Sequence, residues 1–144
     1  MPCCLDFFIT DERGIFVDCP VCKNAMIVLE LAEVEVDYCT DCGGIWLDAG
    51  ELELLLGNSQ QAKQLLDSFK IDSACTEKKR KCPICLKKMQ KIDVGPSLPP
   101  LLIDKCIGGD GLWFDHGELQ EVLDKAKLDK DSKIQKLLAD IFRG

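Results

Sequence analysis

The sequence predicts a small metal-stabilised α+β fold made of two tandem units, each a short antiparallel sheet followed by two helices. Three observations predict it. Cysteines fall in C-x-x-C pairs, the spacing that tetrahedral metal sites use. The chain spells out one pattern twice. After each first pair, apolar residues recur at strand spacing and then at helical spacing.

The first copy carries Cys19-Pro20-Val21-Cys22, then Cys39-Thr40-Asp41-Cys42-Gly43-Gly44-Ile45-Trp46-Leu47-Asp48-Ala49-Gly50-Glu51-Leu52. The second carries Cys82-Pro83-Ile84-Cys85, then Cys106-Ile107-Gly108-Gly109-Asp110-Gly111-Leu112-Trp113-Phe114-Asp115-His116-Gly117-Glu118-Leu119. The copies are offset by 63 residues at the first pair and by 67 at the tryptophan, so the second has four more residues between its pairs. This places the units at residues 1–72 and 73–144. Modules of that size bury too little surface to rely on a core alone. A structural zinc, worth roughly 10–16 kcal/mol of apparent binding free energy, supplies the deficit.

The chain has 144 residues, ten cysteines and a formal net charge of −7. Residues 1–57 carry −10, residues 58–95 carry +5 and the remainder −2. Four thiolates around one Zn²⁺ make the first unit more acidic still. That balance disfavours nucleic acid as a partner, since such binders show a basic footprint. C-x-x-C pairs beside glycine turns, without a leader or an apolar run of roughly 18 residues, place the chain in a reducing cytoplasm and away from membranes.

Phe7, Phe8, Ile9, Ile15, Phe16 and Val17, split by Asp11-Glu12-Arg13-Gly14, read as a hairpin leading into the first knuckle. Ile27, Leu29 and Leu31, then Val34, Val36 and Tyr38, alternate with mainly polar residues and predict two antiparallel strands. Gly43-Gly44 lets the chain turn around the metal. Ile45-Trp46-Leu47 is a short strand, with Trp46 a core anchor. Asp48 and Glu51, like Asp115 and Glu118, stand three apart in a capping-box pattern, which is favoured over a catalytic carboxylate pair. Leu52, Leu55 and Leu56 form a helix stopped at Gly57-Asn58, and Ala62, Leu65, Leu66 and Phe69 form another. The second copy repeats this with Leu119, Val122 and Leu123, then Ile134, Leu137, Leu138, Ile141 and Phe142. These leucine-rich faces suit a core or a homo-oligomer contact. Each unit is a zinc ribbon followed by two helices.

Lys78-Lys79-Arg80-Lys81 reads as a solvated linker, and the apolar 95–102 loop either as resting on the ribbon or as a small docking surface for a partner. The first site is complete: Cys19, Cys22, Cys39 and Cys42. The second has Cys82, Cys85 and Cys106, but Gly109 stands where Cys42 stood. His116, the one histidine, is the leading fourth ligand, although it must fold back to bind, and it reads equally well as a surface residue in the first helical turn. Cys75 is the alternative, followed by the nearer but harder Asp110; an empty site or a water-bound, reactive zinc complete the options. Cys3 and Cys4 are read as free thiols.

These residues resemble the transcription factor IIB-like zinc ribbon family of small bacterial and archaeal proteins, whose signature joins C-P-x-C to C-x-x-C-G-G-[IL]-W-L-D-x-G-E-L. The first copy matches from Cys19 to Leu52. The second matches at Cys82, Pro83, Cys85, Cys106, Gly111, Trp113, Asp115, Gly117, Glu118 and Leu119, and departs at Gly109. The resemblance implies zinc ligation by Cys19, Cys22, Cys39 and Cys42 and a transcription-related role. The expectation is therefore a non-enzymatic, zinc-binding adaptor that works through protein partners. The alternatives are a nucleic-acid binder using the basic 78–91 segment and a rubredoxin-like iron redox protein, with hydrolysis at the three-cysteine site ranking last.

Overall fold

The computed structural model describes residues 17–31, 33–57, 60–72, 79–95 and 101–125. The expected N-terminal hairpin, Cys3, Cys4, Cys75, Lys78, the centre of the 95–102 loop and the final predicted helix lie outside them.

Alternating apolar residues form β1 (Ile27–Leu31) and β2 (Val34–Tyr38), antiparallel and in register from Ile27 against Tyr38 to Leu31 against Val34. β3 (Ile45–Asp48) adds to β2. Helices α1 (Glu51–Leu56) and α2 (Gln60–Asp67) follow, and Gly57 ends α1 at φ 79°, a conformation that glycine adopts without penalty. A two-residue strand, β4 (Lys70–Ile71), leads to β5 (Gln90–Asp93), β6 (Leu102–Lys105), β7 (Gly111–Phe114) and helix α3 (Glu118–Lys125). The first unit has both predicted helices; of the second unit's pair, only the first falls among the described residues.

The seven strands make one antiparallel sheet in the order β1-β2-β3-β7-β6-β5-β4. Its centre is the pairing of β3 with β7, the equivalent strands of the two copies, in the register Ile45–Phe114, Trp46–Trp113, Leu47–Leu112 and Asp48–Gly111. The ribbons thus share a sheet about a pseudo-twofold axis. β4, from the end of the first unit's sequence, closes the far edge by pairing with β5 of the second.

Strand period decides what each face carries. One face holds Val36, Ile45, Leu47, Ile92, Ile103 and Phe114, covered by Leu52, Leu55 and Leu56 of α1, Ala62 and Leu65 of α2, and Leu119, Val122 and Leu123 of α3. Among the described residues, the apolar faces of α1, α2 and α3 are therefore spent on this core. The opposite face holds Trp46 and Trp113, both fully buried, together with Met26, Met89 and the cysteine knuckles. Met26 and Met89 occupy matching positions in the two copies, and their packing under the knuckles was not read from the sequence.

Candidate metal centres

Each C-P-x-C pair sits in a tight knuckle. In the first, Cys19 N–H donates to the Asn24 carbonyl (2.8 Å) and Lys23 N–H to the Cys19 carbonyl (2.9 Å), with Lys23 at φ 68°. The second copy repeats both bonds, Cys82 to Lys87 and Leu86 to Cys82, each 2.8 Å, with Leu86 at φ 66°. These turns aim backbone amides at sulfur. Val21 and Cys22 N–H donate to Cys19 Sγ (3.3 and 3.2 Å), Cys42 N–H to Cys39 Sγ (3.5 Å), and Ile84 N–H to Cys82 Sγ (3.4 Å). Such donors stabilise thiolate charge.

The knuckles bring together two sets of four donors: Cys19, Cys22, Cys39 and Cys42, and Cys82, Cys85, Cys106 and Asp110, with ligand atoms within 4.8 Å of one another in each set. The fit to zinc can be tested on distances. With Zn–S near 2.3 Å, the edge of a sulfur tetrahedron is about 3.8 Å, and a sulfur–oxygen edge is about 3.6 Å. Cys19 Sγ to Cys42 Sγ is 3.7 Å and Cys85 Sγ to Cys106 Sγ is 3.6 Å. Asp110 Oδ2 stands 3.6 Å from Cys82 Sγ and 3.5 Å from Cys106 Sγ. Both donor sets fit Zn²⁺. Burial pushes the Cys42 thiol up and the Cys82 thiol up to about 12, while at Cys39 burial is more than offset by the Cys42 and Asp41 amides together with the Cys42 and Cys19 side chains, and the thiol is lowered. Ion binding must therefore displace protons.

The fourth donor of the second set is Asp110, which corrects the expectation for His116. Because β7 runs against β3, the chain after Trp113 is carried over the first unit, and the His116 ring lies on Gly43. A Cβ at Gly43 would stand 2.4 Å from His116 Cδ2. Asp110 needs no such detour, since it follows Gly109 in the same tight turn as Cys106.

The tryptophan motif also works differently from a capping box. Trp46 Nε1 donates to Asp48 Oδ1 (2.9 Å) and Trp113 Nε1 to Asp115 Oδ1 (3.0 Å). Residues two apart on a strand share a face, so the aspartate can satisfy an indole N–H that is otherwise buried. Gly50, not Asp48, is the N-cap of α1, at φ 90° and with no side-chain cap bond. The glutamate half of the expectation holds. Glu51 Oε1 accepts from Asp48 N–H (2.7 Å) and Glu118 Oε1 from Asp115 N–H (2.8 Å). Burial raises both glutamates to about 7, with the neighbouring aspartates adding to the shift against that amide bond.

The basic segment is partly turned inward. The Lys91 ammonium lies 2.8 Å from Asp104 Oδ1 with both side chains buried, and the Arg80 guanidinium pairs with Asp115 and stands 3.9 Å from Asp104 Oδ2. In the first copy Val28 and Val17 take the places of Lys91 and Arg80. Charges at strand positions facing the knuckles were the available signal for this network. Among the described residues no helix is long and apolar enough to cross a membrane.

Residues 18–57 match the family model described as a transcription factor zinc-finger, the zinc ribbon of the transcription factor IIB type. No curated protein and no solved structure matches the chain.

Proposed function

With residues 18–57 a transcription factor IIB-type zinc ribbon, we propose that this chain is a non-enzymatic, zinc-stabilised adaptor, related to transcription, that acts through protein contacts. The observation that carries this reading is the completeness of both donor sets. Four protein donors within 4.8 Å of one another at each centre are the mark of a structural zinc, whereas catalytic zinc keeps a position open. The metal then holds a surface in shape and offers it to a partner. Protein is favoured over nucleic acid because Arg80 and Lys91 of the basic segment are engaged by Asp115 and Asp104, and residues 1–57 are strongly acidic.

The test pairs metal analysis with partner binding. The purified chain should carry two equivalents of zinc, remain colourless, and co-elute with purified RNA polymerase on size exclusion. Short single- and double-stranded DNA should not bind at low salt. Binding of DNA with a steep salt dependence, a red iron-loaded preparation, or failure to associate with the polymerase would each count against the reading.

A further inference from the structure

The two copies act as an internal control, because the same C-P-x-C turn carries different side chains at its tip, while the other knuckle closes from Gly43 N–H to the Cys39 carbonyl in the first copy and from Gly109 N–H to the Cys106 carbonyl in the second. In the second unit the tip presents Ile84, Leu86 and Ile107, exposed to 39, 68 and 63%. Each lies next to a donor cysteine of one site, so the three surround a single point. The first unit has Val21, Lys23 and Thr40 at those positions. Val21 is apolar and as exposed as Ile84, at 40%, so the copies differ at Leu86 and Ile107, where zinc ligation and the knuckle turn do not require an apolar residue.

Leu86 sharpens the contrast. It holds φ 66°, the left-handed region that non-glycine residues seldom occupy, and its side chain stays mostly in water. Lys23 fills the equivalent turn at φ 68°, is exposed, and folds its ammonium back to donate to the Pro20 carbonyl (3.0 Å), a bond that leucine cannot make. Leucine there contributes little to either the turn or the core.

The charges around the tips differ in the same direction. Lys81 and Lys88 face each other in a β bridge where the first copy pairs Asp18 with Ala25. Lys87 replaces Asn24, which in the first copy donates to the Asp41 carboxylate and ties the two knuckles together. All three lysines are exposed.

From this we infer that the second zinc knuckle is a docking surface for an acidic protein segment with apolar anchors, seated on Ile84, Leu86 and Ile107 and steered by Lys81, Lys87 and Lys88. Aliphatic side chains between the lysines suit such a segment better than a nucleic acid, which would be held by phosphate contacts and aromatic stacking. The inference rests on the adaptor reading and gives it a site and a partner chemistry.

The probe is a fluorescein-labelled peptide of repeated Glu-Leu-Asp-Phe, titrated by anisotropy against the zinc-loaded full chain, with a Lys-Leu-Lys-Phe peptide and oligo(dT) as comparisons. The variant Leu86→Lys/Ile107→Thr installs the first copy's own residues at exposed positions, so fold and zinc content should be kept. It should weaken the acidic peptide about tenfold or more. A second variant, Lys87→Asn/Lys88→Ala, should weaken binding less and flatten its salt dependence. No binding of the acidic peptide, equal affinity in both variants, or oligo(dT) binding that the same substitutions abolish would overturn the inference. If the zinc-loaded chain and both variants still co-elute with the polymerase while the peptide fails, the docking surface is wrong and the adaptor reading stands.

Discussion

Trp113 of the second unit occupies the space that a side chain on Gly44 of the first would need: a Cβ there would lie 2.2 Å from the indole Cζ2. The relationship is reciprocal. A Cβ on Gly111 would lie 2.8 Å from Trp46 Cζ2 and 2.1 Å from the Leu47 carbonyl oxygen. Each tryptophan is thus seated on the other copy's glycine, at the strand pair that joins the ribbons.

Substitution at either glycine should loosen the junction. The Trp113 ring cannot swing aside, because it is fully buried and its N–H is held by Asp115. Gly44→Ala is expected to cost about 1–3 kcal/mol by overpacking. Gly111→Ala should cost more, since backbone stands in the way. Denaturant unfolding of the zinc-saturated protein measures both, and a neutral Gly44→Ala would contradict the seating.

Metal stoichiometry separates the candidate fourth ligands. Asp110→Ala should reduce two zinc equivalents to one, and Cys42→Ser should do the same at the other site. His116→Ala should leave both in place. Elemental analysis after mild chelation reads the result; loss of one equivalent in His116→Ala, with Asp110→Ala unaffected, would reverse the assignment.

The buried Lys91–Asp104 pair should behave asymmetrically. Lys91→Met leaves the Asp104 charge inside with only the more distant Arg80 and is expected to cost about 3–5 kcal/mol. Adding Asp104→Leu should recover most of that loss, because two apolar side chains need no desolvation of charge. If the double variant is as unstable as the single, the pair contributes net stability and the expectation fails.

Glu51 and Glu118, raised to about 7, stay protonated in the fold at pH values where the unfolded chain has ionised near 4.3. Their contribution to stability is complete below that ordinary value and is lost as pH rises through about 7. Zinc ligation runs the opposite way, since acid protonates thiolates. With zinc saturating, Glu51→Gln and Glu118→Gln keep an oxygen for the amide and remove the titration. Each should flatten the decline in thermal midpoint between pH 6 and 8 and, after solvent screening, raise stability at pH 8 by about 1 kcal/mol. Curves parallel to the unmodified protein would show that these carboxyls do not govern the slope.

Much of the site was legible before the structure, for local reasons. Sulfur softness and C-x-x-C spacing point to zinc without any tertiary information, and period-two alternation places β1 and β2 almost to the residue. The helical residues Leu52, Leu55 and Leu56 recur at Leu119, Val122 and Leu123 and bury the same face in both units. The aspartate of the tryptophan motif was misread because one residue fits both patterns, three before a glutamate as a cap and two after a tryptophan as an indole acceptor. Only the buried N–H of Trp46 or Trp113 tells them apart. His116 was ranked above Asp110 on ligand softness, whereas closeness along the chain favoured Asp110.

Two copies, their donor cysteines, the strands β1 to β3 and the helices α1 to α3 are properties of short stretches, and the amino-acid sequence alone determined them. The tertiary structure decided what lies across copies: the β3–β7 junction, the indole seats on Gly44 and Gly111, Asp110 as fourth donor, and His116 carried over the first site. The physical reason is that ligand softness and the periods of strand and helix act over a few residues. Which sheet edge meets which, and in what register, is settled by packing between residues nearly half the chain apart.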